Sequence, residues 1–267
     1  MIRVEKLSVR LGTFSLQDIS FEIPNGQYGI LMGPTGSGKT TILESLCGLK
    51  PVTSGRILLM GRNVTRLKPA ERGIGFVPQD GALFPTMTVR QQLGFALSVR
   101  NWRKDAIERR VAELAELLGI TPLLHRNLTG LSGGERQRIA LGRALAASPG
   151  VLCLDEPLSA LDESTRGEMY ELLKSVQKKT GVTTLHITHS QSEARILGDA
   201  VFLIEDGRLN PVSESQLAAK SPKQEPARSA DDNPDANDPD ANDPDADNLN
   251  ADDLNAAENS APESVSR

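Results

Sequence analysis

The chain has 267 residues, 38% of them hydrophobic, enough for a sizeable core and against disorder throughout. Its 30 Lys and Arg face 35 Asp and Glu, but residues 229–267 hold ten Asp and two Glu against one Arg, which leaves the first 228 residues at about +6. That mild positive charge suits an anionic ligand without requiring one. No apolar run reaches the ~20 residues of a membrane span, and no charged-then-apolar leader opens the sequence, so the protein is expected in the cytoplasm.

The chain opens with two alternating segments, "RVEKLSVRL" and "FSLQDISFEI", the second running into the turn signal "PNG". An antiparallel start is predicted. Next comes the apolar strand "YGILM" (28–32), followed by "GPTGSGKT" (33–40) and the helical "TILESL". Strand, glycine-rich loop and helix together make a phosphate site: the glycines let successive N–H groups point at one anion, and the helix dipole adds to them. Lys39 is placed to reach β- and γ-phosphates, and the Thr40 hydroxyl to ligate Mg²⁺. Cys47 and Cys153 lie in apolar sequence without a CxxC or His partner, and are expected as buried free thiols.

Between about 86 and 148 helical periodicity replaces the strands. In "DAIERRVAELAELLGI" Ile107, Val111, Leu114 and Leu118 share a face and Gly119 ends it, so an inserted helical subdomain is predicted. Within it, "LSGGERQR" (131–138) puts two glycines where a helix begins. Ser132 and Glu135 form a capping box, the apolar face Ile139, Leu141 and Leu145 follows, and the helix is expected to end near Pro149. Gly133 and Gly134 then sit in the first turn, where a missing Cβ lets an anion approach free N–H groups: a second anion-receiving helix end.

"VLCLDEP" delivers Asp155 and Glu156 to the end of a buried strand, where one carboxylate can hold Mg²⁺ and its neighbour can orient water. "TTLHIT" (183–188) and "AVFLIED" (200–206) complete the strands, and their near-continuous apolar character implies a largely parallel sheet covered by helices. From about 221 the five-residue Asp, Asn, Pro and Ala repeat of "NPDANDPDANDPDADN" is expected to be disordered.

The loop at 33–40, "LSGGE" at 131–135, "LDEP" at 154–157, "SALD" at 159–162 and His189 after "LHIT" together resemble the nucleotide-binding subunit of an ABC transporter, over about residues 2–215. The resemblance implies an α/β fold, a P-loop NTPase core of RecA-like form with an antiparallel β subdomain and the inserted helical subdomain, in one domain over 1–220. It implies ATP and Mg²⁺ as ligands, in a head-to-tail dimer that sandwiches ATP between one copy's phosphate loop and the other's "LSGGE" helix. Gly33, Pro34, Thr35, Gly36, Ser37, Gly38, Lys39, Thr40 and Thr41 then contact nucleotide, as do Ser132, Gly133, Gly134 and Glu135 from the other copy. Thr40, Gln79 and Asp155 serve the metal, Glu156 polarises the attacking water, His189 contacts the γ-phosphate and Asp162 reaches the second copy.

By the same resemblance, "QDGALFPTMTV" (79–89) docks a membrane permease, with Leu83 and Phe84 either on that surface or in the core. The protein is expected as a peripheral ATPase on the inner face of the membrane, without nucleic acid, serving an importer and an extracytoplasmic substrate-binding protein. Molybdate or tungstate is the first substrate to consider, with sulfate, ferric iron, polyamine and thiamine as alternatives. A non-transport ABC ATPase and a regulatory ATP-binding subunit are the competing functions. The adenine-stacking position aligns with Leu11, and Phe14 either substitutes for it or points into the core. Larger members append a β-rich regulatory domain where this sequence has its acidic tail. Gly142 sits inside a helix at up to about 1 kcal/mol against Ala unless close packing requires it.

Overall fold

The computed structural model of the chain describes residues 1–219, so the acidic tail expected from 221 lies outside the described residues. Strands β1 (Ile2–Leu11), β2 (Phe14–Ile23), β4 (Ser54–Leu59) and β5 (Arg62–Asn63) form an antiparallel sheet in the order β2-β1-β4-β5. The alternation of the first two segments thus produces the expected hairpin, with Ile2 opposite Ile23 and Leu11 opposite Phe14.

The second sheet runs β10-β9-β3-β8-β7-β6, from β3 (Tyr28–Met32), β6 (Ile74–Val77), β7 (Val151–Asp155), β8 (Thr183–Ile187), β9 (Ala200–Glu205) and β10 (Arg208–Pro211). β9, β3, β8, β7 and β6 pair in parallel, and β10 adds an antiparallel edge. Each residue of β3, β7 and β8 is buried. Their pleat divides two cores: Leu152 and Leu154 enter the one with the helices, while Val151 and Cys153 enter the one with the antiparallel sheet. Cys47 and Cys153 are buried and unbridged. β6, with Gly75 in its four residues, was not named from sequence, being too short for a periodic signal.

Helix α1 (Lys39–Cys47) follows the phosphate loop, and Gly48 closes it in the left-handed conformation at φ 81°. Helices α2 (Val89–Val99), α3 (Lys104–Leu117) and α4 (Gly133–Leu145) occupy the predicted helical stretch. On α3, Val111, Leu114 and Ala115 are buried, Leu118 caps the end, and Gly119 at φ 66° turns the chain. α4 stops at Leu145, four residues before Pro149; the sequence reading ran long because proline marks only the latest possible end. Helices α5 (Glu163–Thr180), α6 (Gln191–Leu197) and α7 (Glu214–Ala219) complete the described chain. Among the described residues no helix is long and apolar enough to cross a membrane.

Gly142 has a packing reason. A Cβ there would stand 2.5 Å from Leu93 Cδ2 of α2 and 2.7 Å from Leu118 Cδ1, so the glycine lets α4 sit against both neighbours. Gly142→Ala should therefore destabilise by about 1–3 kcal/mol despite alanine's better helix propensity, measured by chemical denaturation. A stabilised variant would show that the contact is loose.

Candidate functional site

Parallel strands bring their carboxyl ends to one edge of the sheet, and the predicted polar residues leave the core there. Gly33 follows β3, Gln79 lies two residues past β6, Asp155 ends β7 with Glu156 next, and His189 lies two residues past β8. Thr35, Gly36, Gly38, Lys39, Thr40, Thr41, Gln79, Glu156 and Phe14 line one cleft of about 330 Å³. Phe14 is thus on the cleft side, while Leu11 does not line it.

The loop is curled by Gly33, Gly36 and Gly38 at φ 154°, 81° and 99°. At Gly33 there is no space for a side chain either: a Cβ would stand 2.5 Å from the Ile204 carbonyl oxygen. The Ser37 Oγ is buried without a hydrogen-bond partner, an orphaned donor that an anion seated in the loop would satisfy. Lys39 is buried and its Nζ donates to the carbonyls of Gly33 and Pro34, both at 2.8 Å. Burial pulls its ammonium below the ordinary lysine value, against the charges of Glu156 and Asp155.

The Thr40 hydroxyl donates to Asp155 Oδ1 at 3.4 Å, and these two oxygens with Gln79 offer a hard-cation donor set of the kind Mg²⁺ takes. Burial raises the Asp155 carboxyl above its ordinary value, opposed by the Thr40 hydrogen bond. Glu156 holds φ at 43°, an uncommon conformation for a residue with a side chain. Its N–H donates to the Ile187 carbonyl at 3.0 Å, and its carbonyl accepts from the Ser159 hydroxyl at 2.9 Å, so the backbone is pinned on both sides. Its carboxylate Oε2 lies 3.3 Å from Nδ1 of the exposed His189.

The α4 end is built as read: Ser132 Oγ accepts from the Glu135 N–H at 3.1 Å, and the Glu135 carboxylate accepts from the Ser132 N–H at 2.7 Å. The two glycines differ. Gly133 is exposed, whereas Gly134 is buried and a Cβ on it would stand 2.6 Å from Thr165 Cγ2 on α5. Packing between two helices accounts for Gly134, while Gly133 leaves the first turn of α4 open to solvent. Asp162 caps α5, accepting from the Thr165 N–H at 2.9 Å and its hydroxyl at 2.7 Å, and these bonds hold its carboxyl below the ordinary value.

No residue of 131–135, and not Asp162, lines the phosphate-loop cleft. Gly133 opens instead into a neighbouring groove of about 450 Å³ that Gln79 and Glu156 also border. Phe84 is exposed and its neighbour Leu83 half-buried. The Phe84 ring lies 4.7 Å from that of Phe95 and under the Arg143 guanidinium at 5.2 Å, and the buried Gln92 donates to its carbonyl at 2.6 Å. Gln92 had no signal in the sequence, since its partner is a backbone eight residues away.

Residues 16–159 match the family model described as ABC transporter. The chain is 44% identical over 225 residues to the molybdate/tungstate import ATP-binding protein WtpC of Thermococcus kodakarensis, covering 84% of this chain and 68% of that one. It is 41% identical over 226 residues to the sulfate/thiosulfate import ATP-binding protein CysA of Nocardia farcinica, again covering 84% and 68%. It is similar in structure to the ATP-binding cassette MJ0796, solved as a dimer in a post-hydrolysis state bound to ADP and Pi, with TM-score 0.69, 26% identity and coverage of 80% of this chain and 99% of that one. The chain spans about two thirds of the length of the curated relatives it matches.

Two variants separate packing from chemistry. Gly134→Ala should lower the melting temperature, and adding Thr165→Ser, which removes the opposing Cγ2 and keeps the hydroxyl, should restore most of it; no restoration would refute the packing account. Asp155→Asn should stabilise the nucleotide-free protein at neutral pH. A carboxyl raised by burial disfavours folding while ionised, and that penalty is relieved as pH falls through its folded value. Equal melting temperatures of the variant and the parent across that range would count against a desolvated carboxylate.

Proposed function

The chain belongs to the ABC transporter family as an ATP-binding subunit, and from that premise we propose that two copies close head to tail on ATP, hydrolyse it, and drive a separate membrane permease importing molybdate or tungstate. It is an ATPase of the ABC type. The observation that carries the head-to-tail arrangement is the separation of its two anion-receiving ends: the Gly133 end of α4 contributes nothing to the phosphate-loop cleft of its own chain. A second copy, turned about a two-fold axis, supplies the missing side twice over. The dimeric MJ0796 cassette supports the same reading.

In this reading Lys39 exchanges two carbonyls for phosphate oxygens, and backbone N–H groups between Gly36 and Thr40 take the β-phosphate. Thr40, Asp155 and Gln79 would hold Mg²⁺, which when bound would supply positive charge against the negative charge of the nucleotide's phosphates. Glu156 accepts a hydrogen bond from water and aligns it for in-line attack on the γ-phosphorus. The new P–O bond forms as the bond to the ADP oxygen breaks, ADP and inorganic phosphate are released, and the proton lost by the water passes by way of Glu156 to the phosphate or to solvent. With Nδ1 of His189 turned to Glu156, its Nε2 is the ring atom left to face the γ-phosphate. Charge developing in flight meets Lys39 and the α4 N–H groups of the second copy.

Phe84, exposed and held by Gln92 and Phe95, is the surface we assign to the permease, with an extracytoplasmic substrate-binding protein on its far side. The protein then works peripherally at the inner face of the membrane. Two relatives that import tetrahedral oxyanions support the substrate class, and the higher identity to the molybdate/tungstate protein orders the choice within it.

Glu156→Gln should bind ATP, elute as a dimer only with nucleotide, and lose turnover by at least about a hundredfold. A variant that turns over like the parent would remove Glu156 from this role. In the host, deleting the gene should abolish radiolabelled molybdate uptake, with rescue by the parent gene and none by the Glu156→Gln gene. Unchanged uptake on deletion would overturn the substrate.

A further inference from the structure

His186 interrupts an apolar strand and is wholly buried, beside Ile30 of β3 in the sheet. Its Nδ1 lies 3.0 Å from the Tyr28 hydroxyl, also buried, and its Nε2 lies 3.2 Å from Oε2 of Glu193, a buried carboxylate on α6. A Tyr hydroxyl donating to Nδ1 leaves the ring proton on Nε2, toward Glu193. That second approach is oblique, so Nε2 meets the carboxylate by proximity and not in line. Burial, reinforced by the Glu193 charge, raises the Tyr28 hydroxyl well above its ordinary value and keeps it a donor. Burial also pushes Glu193 up, but His186, Thr188 and Arg166 outweigh it and hold the carboxyl below its ordinary value.

Such a network is high-stakes: each group is expensive to bury alone, and together they define one arrangement. Its position gives it more than a packing role. The Thr188 N–H donates to the Leu31 carbonyl at 3.2 Å, the Ser190 N–H donates to Thr188 Oγ1 at 3.0 Å, and the Glu193 N–H donates to Ser190 Oγ at 3.3 Å. Ser190 is thus held by the Glu193 backbone N–H and Thr188 by β3, while the Glu193 carboxylate itself reaches the segment through the Thr188 hydroxyl; His189 between them is exposed. Glu193, Glu156, His189 and Arg166 line one cavity of about 270 Å³.

We propose that Glu193, backed by His186 and Tyr28, is a positioning residue that fixes the 188–190 loop and so aims the His189 imidazole between Glu156 and the γ-phosphate. This rests on the roles given above to His189 and Glu156. The reacting atoms touch none of the three buried groups; their effect passes through the loop.

The chain has three histidines, His125, His186 and His189, so selective ¹⁵N labelling gives a spectrum in which each is separable. In Glu193→Gln, which keeps the shape and loses the charge, the His189 signals should shift while those of His125 stay. Steady-state kinetics should show kcat for ATP lowered by about tenfold or more with KM within about twofold, since a misplacement of about 1 Å can cost a hundredfold. Glu193→Ala should lower kcat further, and Tyr28→Phe should show the same pattern more weakly and serves where the alanine variant fails to fold. Unmoved His189 signals in Glu193→Gln, or kcat losses that merely follow loss of folded protein, would overturn the proposal. If Glu156→Gln is inactive while the Glu193 variants match the parent, the positioning role alone falls; if Glu156→Gln turns over normally, the reading of the site falls first.

Discussion

A parallel sheet buried on both faces is the constraint from which the rest follows. Inside it a polar group is costly to bury, so β3, β7 and β8 are largely apolar runs, and the chemistry leaves at their ends. Because the strands are parallel, those ends fall together: the glycine loop, Gln79, the Asp155–Glu156 pair and His189 meet at one edge although they are spread over more than a hundred residues. His186 is the buried imidazole inside β8, and it is accompanied by Tyr28 and Glu193 for the same reason.

The same constraint explains what the site lacks. A sheet edge supplies anion-receiving backbone from the loop after β3, but α4 belongs to the helical stretch inserted before β7, and its end opens into a different groove. One chain thus carries the phosphate loop and the α4 end at two separate openings. Strain and burial gather near them, in the left-handed Glu156, the Lys39 ammonium lowered by burial and the Asp155 carboxyl raised by it.

Much of this was legible in the sequence because its causes are local. Alternation fixed the opening hairpin, apolar runs fixed the buried strands, and the Ser132 and Glu135 pair marked the start of α4 by a bond between residues three apart. What was not legible is what depends on distant partners. Gly134 looked like an open approach to an anion, and only the nearness of Thr165 on another helix shows it to be packing. Gly142 is explained by Leu93 and Leu118, Phe84 is held by Gln92, and Phe14 proves to line the cleft, none of which leaves a periodic trace. β6 was too short and too glycine-bearing to announce itself.

Completion of each site by a second copy is the claim on which the functional account stands, and mixing two inactive variants tests it most directly. Lys39→Ala disables the phosphate loop, and Ser132→Arg obstructs the α4 end. If sites are finished in trans, a mixed dimer joins the intact loop of one chain to the intact helix end of the other, and the mixture hydrolyses ATP while neither variant does alone. A mixture no more active than its separate components, with mixed dimers demonstrated by differential tags, would contradict the account.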